Sequence, residues 1–75
     1  MKNIETLIED GGSISLGALD EIECVAAASD SHNSLAMLVR REGETLTALL
    51  KRLDKAVGRH YADGDVVDEV NNPSD

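Results

Sequence analysis

Cys24, His32 and His60 are the one thiol and the two imidazoles of this 75-residue chain, the side chains best suited to nucleophilic or metal chemistry. A cysteine becomes a nucleophile when a neighbouring histidine stabilises its thiolate, and Cys/His sets at short spacing bind zinc. Here the three residues are spread along the chain, with no paired-cysteine or paired-histidine motif. Cys24 lies in the run Cys24-Val25-Ala26-Ala27-Ala28 and reads as a small buried hydrophobe. His60 reads as a packing residue near a helix C-terminus, and His32 as an exposed turn residue. Ser29, Ser31 and Ser34 beside Asp30 and His32 supply the residue types of a hydrolytic triad, but a triad needs a shaped pocket that so short a chain rarely builds. The carboxylate pairs Glu9-Asp10 and Asp20-Glu21 adjoin turns and lack the apolar surroundings that tune a general acid. Gly11-Gly12-Ser13 lacks the spacing and the lysine of a phosphate-binding loop. The expectation is a chain with no catalytic residues, no metal and no cofactor.

Charge is the clearer signal. Residues 1–39 carry a net −6, residues 40–59 a net +3 and residues 60–75 a net −5, for −8 in all. The positive segment holds Arg40, Arg41, Lys51, Arg52, Lys55 and Arg59. On a helical wheel Lys51, Arg52, Lys55 and Arg59 share a face opposite a leucine stripe, an arrangement that could meet phosphates. The same bases would also serve as a solvated helix face complementing the dipole. The first negative segment gathers six acids within residues 9–30. Among them Asp20, Glu21, Glu23 and Asp30 are the expected contacts to a partner, because a negative patch steers a domain towards a basic protein surface.

These residues must be positioned by short elements. Ile4, Leu7 and Ile8 follow helical spacing, Asn3 can cap that helix, and Gly11-Gly12 ends it. Ser13 to Leu19 alternates like a strand, although Gly17 weakens it. The run 21–29 could be helical on its alanines, but the turn cluster Asp30-Ser31-His32-Asn33 and the strand-like 34–40 favour a hairpin. In the second strand Leu35, Met37 and Val39 are expected to face one way. Leu46, Leu49, Leu50, Leu53 and Val57 form the apolar stripe of a helix from about Thr45 to Gly58 or Tyr61. The fold class expected is α+β in the order α-β-β-β-α: a three-stranded antiparallel sheet covered on one face by two helices, the second long and amphipathic. Residues 1–62 are read as the compact domain and 63–75 as a disordered acidic tail, with Val66, Val67 and Val70 able to dock.

The α-β-β-β-α order is similar to that of double-stranded-RNA-binding domains, which grip phosphates with lysines at the start of their last helix. The matching positions here read Gly43-Glu44-Thr45-Leu46-Thr47, with an acid in place of the lysines. That resemblance implies nucleic-acid binding through the basic helix face as an alternative function. In size and charge the chain also resembles the small acidic accessory proteins of bacteriophages and mobile elements, such as anti-CRISPR proteins. That resemblance implies an inhibitor that occludes a basic groove on another protein.

A lone cysteine, and the want of an apolar run near the N-terminus or of membrane-spanning length, lead to the expectation of a cytoplasmic protein with no membrane contact. A domain this short buries a modest share of its surface, so a partner is expected, either another protein or a second copy of the chain as a homodimer.

Overall fold

The computed structural model describes residues 1–71. Helix α1 (Lys2–Glu9) leads into strands β1 (Ser13–Leu19), β2 (Ile22–Ser29) and β3 (Ser34–Val39). Helix α2 (Leu46–Asp63) and a short strand β4 (Val67–Asp68) follow. The sheet runs β1-β2-β3-β4, antiparallel except for the parallel β3–β4 pair.

The α+β class holds, but the sheet has four strands rather than three. Gly64, left-handed at φ 75°, ends α2 with its N–H donated to the carbonyl of His60 at 2.8 Å. The chain then turns back and lays Val67 beside Ala36 and Asp68 beside Met37. Helix α2 is thus the crossover between two parallel strands, the connection such a pair requires. The stretch expected to trail away as an acidic tail therefore adds Val67–Asp68 to the sheet, and residues 69–71 form a turn after it. Residues 72–75 of that expected tail lie outside the described residues.

The core lies between the helices and one sheet face. It joins Ile4 and Leu7 of α1, Ala26 and Ala28 of β2, Leu35, Ala36 and Leu38 of β3, and Leu49, Leu53, Ala56 and Val57 of α2. Alanines in the central strand let the helices approach closely, as a core of aliphatic side chains without Phe or Trp requires. Leu46 departs from the expected stripe: as the first residue of α2 it stays 44% exposed, while Leu49 and Leu53 are fully buried.

Two further expectations are corrected. Asn3 does not cap α1, which begins one residue earlier at Lys2 with Met1 at the cap position and no side-chain cap bond. The cap comes from α2 instead. Asp54 Oδ1 accepts from the N–H of Ile4 at 2.9 Å, and the Asn3 amide donates to the Asp54 carbonyl and to its Oδ2, both at 3.2 Å. Leu35 does not share a face with Met37 and Val39. Ala28 pairs with Ala36 but Ser29 pairs with Ser34, so Leu35 is an extra residue, a bulge that turns it into the core.

Candidate functional site

The strand register places Ile14, Leu16, Ala26, Ala28, Ala36, Leu38 and Val67 on the helix side of the sheet. The opposite side carries Ser15, Gly17, Val25, Ala27, Met37 and Val39. Val25 is screened by its neighbours in the sheet, and Ala27, Met37 and Val39 are half-buried. Gly17 pairs with Val25 and contributes no side chain. A shallow groove of about 230 Å³ lies there, lined by Ser15, Leu19, Val25, Ala27 and Met37 among others. An antiparallel sheet with one face to water ordinarily alternates apolar and polar residues. Here the uncovered side of β2 and β3 is apolar along its centre.

The expected acidic patch divides in two. Asp20 and Glu21 form the exposed turn joining β1 to β2, where Asp20 takes a left-handed φ of 52°. Glu23 follows on β2, exposed, and two residues before Val25 on the uncovered face. Asp30 lies beyond the far end of β2, roughly 25 Å away at about 3.3 Å per residue. Its Oδ1 accepts from the N–H groups of His32 at 2.8 Å and Asn33 at 2.6 Å, so it shapes the β2–β3 loop. The bond from His32, then that from Asn33, holds its carboxyl below the usual range. Tyr61 is at this same end: burial first, then the charges of Asp10 and Asp30, push its hydroxyl upward.

Cys24 stands apart from both histidines. It lies on β2 near Arg40, whose N–H donates to the Cys24 carbonyl at 3.0 Å. His32 follows the other end of that strand, and His60 sits by Asp65 at the end of α2. Among the described residues no group of three or more His, Cys, Asp and Glu side chains could hold a metal ion.

The basic residues also separate. Lys51 and Lys55 are exposed on α2. The Arg59 guanidinium is 3.4 Å from Asp65, and the Arg40 Nε donates to the Glu44 carbonyl at 2.7 Å. Arg41 is 64% exposed and reaches Glu69 only at 4.0 Å. Arg52 is the correction to the expected basic face, because it points inward, between α2 and the edge of the sheet. Its Nε and Nη2 donate to the two carboxylate oxygens of Glu44 at 2.7 and 2.9 Å. Its Nη1 donates to Glu69 Oε2 at 3.1 Å, and Nη2 also reaches the Val39 carbonyl at 2.9 Å. Such a planar fork fits carboxylates on two sides, which a lysine cannot do. On a wheel Arg52 looks like its neighbours, because partners from residues 39, 44 and 69 are invisible to local spacing.

This clasp finishes the sheet where β4 ends. The N–H of Glu69 donates to the Met37 carbonyl at 2.8 Å, and Glu69 Oε1 accepts from the N–H of Val39 at 2.9 Å. Arg52 takes the Val39 carbonyl, so the backbone edge of β3 is closed by a two-residue strand and two side chains.

The side-chain bonds from Arg52, together with the N–H of Arg41 and both arginine charges, outweigh burial and hold the Glu44 carboxyl at about 2, against its ordinary 4.5. Because the folded state holds the lower value, the clasp's contribution is complete above about pH 5 and is lost as the pH falls through about 2. The thermal midpoint gap between the wild-type chain and a Glu44→Gln variant should therefore be widest at pH 7 and close at pH 2. A gap unchanged across that range would show that Glu44 does not carry the dependence.

Comparison with protein families, with curated proteins and with solved structures finds no match to this chain. No helix among the described residues is long and apolar enough to cross a membrane.

Proposed function

We propose that this chain is a non-catalytic protein-binding module that docks on a basic surface of another protein and occludes it. The observation that supports the reading is the uncovered sheet face. Both helices pack on one side, and the other side presents Ala27, Met37 and Val39 with Glu23 on the same face and Asp20 and Glu21 at its end. Apolar side chains supply the desolvated centre of an interface, and rim acids select the sign of the partner. A net charge of −8 favours a basic partner over a second copy, which would bring two such charges together. The resemblance to phage and mobile-element accessory proteins adds inhibition by occlusion to this reading. Nucleic-acid binding through Arg40, Arg41, Lys51, Lys55 and Arg59 is the alternative, with Arg52 engaged in the clasp.

The structure selects which acids to reverse. Lysine at residue 20 would occupy a left-handed backbone, and lysine at residue 30 would remove the acceptor that holds the loop. The double variant Glu21→Lys, Glu23→Lys changes charge by four without touching a hydrogen bond among the described residues. Captured partners should be identified by mass spectrometry after nuclease treatment, and binding then measured with the purified partner. The variant should lose binding at least tenfold while its circular dichroism spectrum is unchanged. Equal binding by both chains would overturn the reading, and recovery of nucleic acid alone would replace it with the basic-face alternative.

A further inference from the structure

The two edges of the sheet are finished differently. At the far border the two-residue β4 covers Ala36 and Met37 of β3, and Glu69 and Arg52 take the backbone groups of Val39. The β1 edge is bare: no hydrogen bond among the described residues uses a backbone group of Ser13–Leu19 outside its pairing with β2. Every residue of β1 except Ile14 is exposed. Free edges are usually guarded by lysines, prolines or a covering segment, because they offer unpaired N–H and C=O groups to any extended chain. Ser13-Ile14-Ser15-Leu16-Gly17-Ala18-Leu19 contains none of those residues and no charge. Its guard is the irregular pairing between Gly17 and Leu19, which leaves Ser13–Leu16 as the straight, accessible part.

The geometry points to β1 as the docking strand for an extended segment of a partner protein, uncharged and alternating in its middle and basic at both ends. Charge fixes that choice. Glu9 and Asp10 precede β1, and Asp20 and Glu21 follow it, all four exposed. Two copies pairing β1 against β1 in antiparallel fashion would bring the acids after one strand beside the acids before the other. Self-pairing therefore sets acid against acid, whereas lysine or arginine at either end of an incoming strand would meet a carboxylate. On the helix side Leu16 is 42% exposed, so an apolar side chain of the incoming strand would pack beside it. Backbone bonds would supply affinity and the alternating side chains selectivity, the mode of strand addition. This inference rests on the binding-module reading and names the partner's chemistry.

The probe is a peptide of nine residues, the seven of β1 plus one at each end, with five alternating Val and Thr residues between paired lysines. Its controls are the same peptide with paired glutamates and one N-methylated at alternate backbone nitrogens. Titration into the isotope-labelled full chain, followed by amide chemical shifts, should move the amides of residues 13–17 first. N-methylation removes ladder bonds and should weaken binding about tenfold or more, and the glutamate peptide should leave the spectrum unchanged. Shifts centred on Val25, Ala27, Met37 and Val39, undiminished by N-methylation, would overturn the edge inference while leaving the binding-module reading in place. An unmoved spectrum at millimolar peptide would also overturn it, as would a free chain of twice the 8.0 kDa monomer mass with protected β1 amides. Failure of the broader reading is read separately, from equal partner binding by the Glu21→Lys, Glu23→Lys variant.

Discussion

Arg52→Ala is expected to destabilise the fold by about 2 kcal/mol, between the cost of breaking a buried ion pair and that of an exposed one, because this cluster is partly buried. The side chains involved are largely shielded: Arg52 is 21% exposed, Glu44 10% and Glu69 15%. Removing the guanidinium leaves the Glu44 and Glu69 carboxylates with only the more distant Arg41 beside them, and it frees the Val39 carbonyl at the sheet edge. A chain of this length has about 4–11 kcal/mol of total stability, so the loss is a large fraction. The thermal midpoint should fall by roughly 8–16 °C. Arg52→Lys should recover only part of it, because an ammonium cannot bond both carboxylates and the carbonyl in one plane. A midpoint within about 3 °C of wild type for Arg52→Ala would mean that the clasp contributes little, which is the usual finding for exposed pairs. It would also return Arg52 to the set of residues free to meet phosphate.

Gly12→Ala is expected to cost a similar amount by a different route. A Cβ on Gly12 would overlap the Leu7 side chain and stand 2.8 Å from the Ser29 carbonyl oxygen. Leu7 is buried in the core and Ser29 belongs to the central strand, so neither gives way cheaply. Overpacking of this kind costs about 1–3 kcal/mol, with backbone in the path favouring the upper half. Gly11→Asn is the companion variant. Gly11 has a left-handed φ of 91° and open space around its Cα, and asparagine is among the side chains that tolerate that region best. Its midpoint should lie well above that of Gly12→Ala in the same urea or thermal series. The reverse order would show that backbone conformation rather than close packing limits this turn.

The elements were legible where local pattern and tertiary packing agree. Ser13–Leu19 occupies the expected residues, and Leu49, Leu53 and Val57 of the helix stripe are buried as its spacing implies, with Leu50 half-buried at its border. Pattern failed where a distant partner decided the outcome. Leu35 reads as alternating with Met37 until one extra residue in the ladder turns it inward. Val67-Asp68 is too short and too acidic to look like a strand, and only the shape of the β3–α2 return places it beside Ala36 and Met37. Asn3 has the composition of a helix cap, yet Asp54, 51 residues later, takes that role. The acidic cluster of residues 9–30 is contiguous in sequence, but the length of β2 carries Asp30 away from Asp20, Glu21 and Glu23. Counting acids along a chain says nothing of which side of a strand, or which end, they reach.

The closed β3 edge also limits stoichiometry. A sheet with two unguarded borders can polymerise, each chain templating the next into a fibre. With Glu69 and Arg52 occupying the backbone groups of Val39 and only two residues of β4 beyond, β1 is the one long unpaired strand border among the described residues, so a partner strand added there would complete the sheet rather than extend a fibre.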